Sequence, residues 1–149
     1  MSKTFEYQST VTIGETNLLQ NMYFANHFKI QGVTRELWVI KCVENADLHF
    51  SNGLILITKS AYCDYKKDFY LYDDIICRMN FDKIKKASFD LIFTFTNAKT
   101  GEIHANGRQQ IVFADSTHKI CKMPVDFHVA AKEYKIEEVK SDNLVANAI

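Results

Sequence analysis

ETNLLQNMYFANHFKIQGVTR, residues 15–35, is the stretch from which the rest of the chain is read. It is a polar turn running into a long apolar helix that carries one out-of-place arginine. Gly14 to Gln20 form the polar break, and Asn21 is a candidate cap for a turn leading into a helix over residues 22–43. On a helical wheel Ile30, Val33, Leu37 and Ile40 lie on one side. Phe28, Trp38, Val39 and Cys42 cover much of the other, and Lys29 and Glu36 share a narrow polar strip. A helix apolar around most of its circumference is expected to be enclosed by other elements. Gly32 costs roughly 1 kcal/mol against Ala in a helix interior, which points to something passing close. Arg35 sits among Phe28, Val39 and Cys42, and a guanidinium is rarely buried without a partner.

The pattern after the helix is mostly strand. Asn52-Gly53 is a turn signal, followed by candidate strands over 54–59 and 61–67. Residues 75–81 put Ile75, Cys77, Met79 and Phe81 on one face. The stretch 88–97 alternates more cleanly, with Phe89, Leu91, Phe93 and Phe95 inward and Ser88, Asp90, Thr94 and Thr96 outward. Residues 97–102 read as a hairpin turn, and 104–114 return as a strand in which Gly107 marks a bulge or a close approach. Before the helix, 5–13 read as a first strand. Pro124 opens a short helix to about residue 135, and 136–149 read as a mobile tail. The pattern is α+β with an antiparallel sheet, in one domain spanning 1–149.

The chain has 149 residues, of which 47% are hydrophobic and 24% charged. A chain of this length buries roughly 68–70% of its unfolded surface, enough for one sizeable core. Eighteen basic and eighteen acidic residues balance, which argues against general nucleic-acid binding. Cys42, Cys63, Cys77 and Cys121 form no CxxC and no zinc spacing. The N-terminal stretch does not read as a signal peptide, and no apolar run approaches ~20 residues. The expectation is a cytoplasmic chain with reduced, mostly buried thiols and no membrane span.

Residues 15–35 resemble the signature of the hot-dog-fold acyl thioesterases of the 4-hydroxybenzoyl-CoA type, roughly D-x-D-x-x-G-x-V-Y-x-x-N-Y followed by a helix ending in Arg. The resemblance spans about residues 5–130. Tyr23 and Asn26 fall on the Y and N, and Arg35 on the terminal Arg. Tyr72-Asp73-Asp74 is similar to the G-D-x turn, and residues 83–88 to the basic loop. Glu15 and Asn17 replace the two aspartates, Gln20 the glycine of the turn and His27 the usual tyrosine. Gly32 stands where many members have an acidic residue. Asn at the catalytic position with Arg eighteen residues later resembles a narrower group, the thioesterases of enediyne polyene and polyunsaturated fatty acid synthases. The resemblance implies an antiparallel sheet wrapped around a long central helix, a homodimer or homotetramer with sites between subunits, and long acyl thioesters of an acyl carrier protein or CoA as substrates. No cofactor or metal is called for.

The resemblance also implies catalytic roles for Asn17, Arg35 and the backbone amide of Phe24. Thioester hydrolysis needs an attacking water and help for a developing oxyanion, and N–H groups at a helix N-terminus give that help without reorganisation. Asn17 has two amide donors and one acceptor and no charge near neutral pH. It could orient the water or the carbonyl, but it cannot take the proton. The alternative is a turn residue bonding its own backbone. For Arg35 the alternatives are a neighbouring subunit's Glu36 or Glu15 as ion-pair partner, or a role anchoring Asn17 or the reacting carbonyl. Glu15 is either a distant base or a solvated loop residue. Tyr23, His27 and Tyr65 are candidates to contact substrate, each with a packing role as the alternative. Lys83, Lys85 and Lys86 form a basic loop that could attract a pantetheine or nucleotide phosphate. A non-catalytic acyl-binding module is one rival reading. A hydratase is the other, and it would need a His placed with a carboxylate.

Overall fold

Alternation of large apolar and polar side chains builds the sheet. The structure is a computed structural model that describes residues 2–137, so residues 138–149, most of the expected tail, lie outside the described residues. Five strands, β1 (Phe5–Thr10), β2 (Ile55–Tyr65), β3 (Asp74–Asp82), β4 (Ser88–Asn97) and β5 (Ile103–Ala114), form one antiparallel sheet in the order β1-β3-β4-β5-β2. Helix α1 (Asn26–Cys42) lies across its inner face, followed by the short α2 (Ala46–Ser51), and α3 (Val125–Glu133) closes one end. The inward row of β4, Phe89, Leu91, Phe93 and Phe95, is fully buried. Burying each such side chain stabilises the fold by roughly 1.5–3 kcal/mol. Phe81, Phe89, Phe113 and Phe127 stack edge-on in series and tie α3 to the sheet.

Only β3, β4 and β5 form a meander. The two strands expected over 54–59 and 61–67 are one, β2, with a register shift between Thr58 and Ser60, and it lies at the far edge beside β5. The chain must therefore cross back from β2 to β3. That crossing segment laces the turn before α1: Met22 donates to the Phe69 carbonyl (2.7 Å) and Leu71 to the Gln20 carbonyl (3.0 Å). Asn21 and Met22, expected to cap and begin the helix, instead form isolated bridges with Tyr70 and Thr16. α1 consequently starts at Asn26, and Asn21 does not cap it.

The expected all-round enclosure of α1 is also corrected. Its sheet-facing row begins with polar residues, His27, Gln31 and Thr34, before Trp38. Ile40 is 73% exposed. Among the described residues nothing lies within 4 Å of where a Gly32 side chain would begin, so none of their elements passes close there. Two of the three are paired: Thr34 donates to the Ile30 carbonyl (2.7 Å), and Gln31 donates to the Tyr62 carbonyl (3.1 Å) and accepts from Gln109 (3.0 Å). Gly107 makes room for this, since a Cβ there would lie 2.1 Å from Gln31 Nε2. The close-approach reading of Gly107 is the one that holds. All four cysteines are free; Cys77 is buried and the others half-buried, so burial is less complete than expected. Among the described residues no helix is long and apolar enough to cross a membrane.

Candidate active site

The turn at residues 12–25 is built from its own backbone bonds. Thr12 donates to the Glu15 carboxylate from its amide (2.9 Å) and its hydroxyl (3.0 Å). Glu15 is thus not merely solvated; it caps the short 3-10 turn over Ile13–Glu15. The Glu15 carbonyl accepts from the Tyr23 amide (2.8 Å) and from Asn26 Nδ2 (3.0 Å), which fastens the turn to the start of α1. Two residues on, Asn17 donates its amide to the Asn21 carbonyl (3.0 Å) and accepts from the Gln20 amide (2.9 Å). Asn17 Oδ1 accepts from the Leu19 amide (2.9 Å). The turn-forming alternative is therefore real for the oxygen of Asn17. Among the described residues its Nδ2 has no partner, and the side chain is exposed.

The helix tip presents free donors. The Tyr23 and Phe24 carbonyls accept from the amides of Asn26 (3.0 Å) and His27 (3.4 Å). The Phe24 and Ala25 amides, just before the first helical residue, have no partner among the described residues. The Phe24 carbonyl has two further donors, the Tyr65 hydroxyl (2.8 Å) and His27 Nδ1 (3.1 Å). His27 is only 3% exposed and packs edge-on against Tyr65 and Phe95, with ring centroids 4.7 and 5.4 Å away. Burial lowers its pKa, against weaker opposing effects of the Phe24 carbonyl and Asp68. Burial and Cys63 push the Tyr65 phenol up to about 12, so it stays protonated and donates. Tyr23 is half-exposed and rests on the Phe24 ring, centroids 4.7 Å apart.

Arg35 does not join this group within the chain. Its Nη1 donates to Thr58 Oγ1 (2.8 Å) and Gln109 Oε1 (2.9 Å), both neutral. Burial pulls its pKa down, with Glu36 opposing. Neither Glu15 nor Asn17 is its partner. Along the helix axis Arg35 stands roughly 14 Å beyond Asn26. It lines a cleft of about 370 Å³ with Val39, Ile40, Phe50 and Leu56. Sequence reasoning missed Gln31 and Gln109, which carry Arg35 into the sheet. Their only signal was a polar residue at an inward position of a helix and of a strand.

The basic loop is also elsewhere. Lys85 and Lys86 rim a cleft of about 390 Å³ floored by Ile84, Met123 and Val125. Lys122 and His128, which the sequence did not single out, complete the rim. Lys83, in left-handed backbone at φ 46°, is not part of it. This cleft adjoins the Ser88 end of β4, opposite Val112, whereas Tyr65 lies opposite Ala105. Seven residues of strand separate the two, roughly 23 Å.

A five-stranded antiparallel sheet carrying a long helix, with free amides at the helix tip, is the hot-dog arrangement of acyl thioesterases. Residues 11–133 match the thioesterase-like superfamily, and the chain belongs to that family. It is a thioester hydrolase. Among solved structures it is similar to the dynemicin thioesterase, with 23% identity over 91% of this chain and 100% of that one, TM-score 0.84. It is likewise similar to a 1,4-dihydroxy-2-naphthoyl-CoA thioesterase from Synechocystis (15% identity, 87% of this chain and 96% of that one, TM-score 0.80). A Staphylococcus aureus protein in complex with CoA is comparable (15%, 97% and 93%, TM-score 0.84). At these identities the likenesses speak to the fold. No curated protein matches the sequence.

Proposed function

We propose that the chain hydrolyses a long-chain acyl thioester, polyunsaturated or polyene, carried by an acyl carrier protein or CoA, in the cytoplasm, by direct attack of water at the tip of α1. The observation that carries this is the pair of amides at Phe24 and Ala25 that have no partner among the described residues, at the end of the turn that holds Asn17. The Phe24 amide bonds the thioester oxygen as it gains charge, and Asn17 Nδ2 orients the carbonyl or the water. The water oxygen bonds the carbonyl carbon, the C–S bond breaks, and the leaving sulfur takes a proton as the acid is released. Asn17 accepts no proton at any step. The dynemicin thioesterase, whose structures record polyene binding, is a relative in fold, which supports the substrate class.

The site is completed by a second copy. β2 ends the sheet as an open edge of 11 residues, and such an edge is a template for pairing. Antiparallel pairing of β2 with its copy about the middle of the strand would set Thr58 of the partner subunit near Tyr62, bringing Arg35 of the partner subunit toward the helix tip. The same operation would carry the partner's Lys85 and Lys86 to the Tyr65 end, where a pantetheine or nucleotide phosphate would lie. The apolar cleft beside Arg35 suits an acyl chain.

Thiol and free-acid release from short-, medium- and long-chain acyl-CoA and acyl carrier protein thioesters tests the reading. Asn17→Ala and Arg35→Ala are expected to lower kcat by about 10²–10³. A wild-type protein that binds these thioesters without cleaving them would make it an acyl-binding module instead.

A further inference from the structure

We propose that Tyr65 and His27 are positioning residues: together they hold the Phe24 carbonyl, and through that peptide they aim the Ala25 N–H as a second oxyanion donor beside the Phe24 amide. This rests on the hydrolase reading above and adds to it a donor and the two side chains that fix it.

The argument is geometric. A peptide unit is planar and trans, so its N–H points opposite to its C=O. The Phe24 carbonyl is held inward by the Tyr65 hydroxyl (2.8 Å) and His27 Nδ1 (3.1 Å). The N–H of the same peptide unit belongs to Ala25, and it must then point outward from the helix tip. It has no partner among the described residues, and neither has the Phe24 amide. The Tyr23 carbonyl likewise accepts from the Asn26 amide, so the Phe24 N–H points the same way, and two adjacent amides so aimed can serve one oxygen. Tyr65 comes from β2, so the peptide is braced by a second element as well as by its own turn, in which the His27 amide (3.4 Å) and ring both donate to it.

The clamp also explains an otherwise anomalous atom. A carbonyl can only accept, so His27 must carry its proton on Nδ1. Its Nε2 is then a bare acceptor, and it is buried with no hydrogen-bond partner among the described residues. An orphaned buried acceptor costs free energy. Tolerating it fits a ring kept for the donor on its other side.

The test uses whichever acyl thioester the wild-type protein turns over fastest. Tyr65→Phe, which removes one oxygen at a half-exposed position, is expected to lower kcat about tenfold with KM unchanged. His27→Leu is expected to do the same, while His27→Asn, which keeps a donor near the Nδ1 position, recovers most of the rate. A Tyr65→Phe kcat within twofold of wild type, or a change in KM alone, overturns the proposal. So does His27→Asn as slow as His27→Leu. If the wild-type protein cleaves no thioester, the hydrolase reading has failed first, and that result is separable from these.

Discussion

Two residues stand where the resembled family has glycine, and both keep the glycine backbone. Gln20 has φ 64° and Tyr72 has φ 67°. Left-handed backbone costs a residue with a Cβ roughly 1 kcal/mol or more, and these two positions frame the turn that holds Asn17. Gln20→Gly and Tyr72→Gly are each expected to raise unfolding stability by about 0.5–1 kcal/mol, read by urea titration. A loss of stability in both would show that the side chains do more than occupy the turn. His27 gives a pH signature. Its folded pKa lies below the ordinary 6.5 because burial penalises the charged ring. The unfolded chain binds that proton more readily, so the contribution of neutral His27 is complete above about pH 6.5 and is lost as pH falls from there toward the folded value. Melting midpoints measured from about pH 7.5 down to about pH 5 are expected to fall for wild type and to flatten in His27→Asn. Parallel curves would contradict this.

Between elements, the contact of α1 with β5 depends on a missing side chain. With a Cβ at residue 107 only 2.1 Å from Gln31 Nε2, Gly107→Ala must expel Gln31 and unpair Gln109. The expected loss is about 2–3 kcal/mol, seen as a lower melting midpoint. In a Gln31→Ala background the same change is expected to cost much less, and equal costs in the two backgrounds would refute the coupling. The same contact shows what was legible in the sequence. β4 was read over its full length because Phe89, Leu91, Phe93 and Phe95 alternate without interruption. The face of α1 was misread because hydrophobicity locates a buried face only where that face is apolar. His27, Gln31 and Thr34 are buried by virtue of partners on β2, β5 and their own turn, and no local pattern reports a distant partner. The start of α1 failed for a related reason: Asn21 and Met22 bridge to Tyr70 and Thr16, contacts invisible to a capping rule. Asn17 and Phe24 are singled out by the resemblance alone, whereas the bond from Tyr65 to the Phe24 carbonyl is visible only once β2 is in place.

For the molecule as a whole, the chain taken alone separates the groups that the proposed reaction would bring together. Asn17 and the free amides lie at one end of α1, Arg35 lies more than two turns along it, and the basic cleft adjoins the opposite ends of the strands. On the proposed reading, antiparallel pairing of β2 with its copy would remove both separations from the helix tip with one two-fold operation. The most direct measurement mixes two inactive variants, Asn17→Ala and Arg35→Ala, after dissociation and reassembly. If each site takes Asn17 from one chain and Arg35 from the other, half of the random dimers are mixed and each mixed dimer has one intact site. Hydrolysis is then predicted to recover to about a quarter of the wild-type rate. Reassembled mixtures that stay as inactive as either parent, while size measurements show mixed dimers present, would contradict the account.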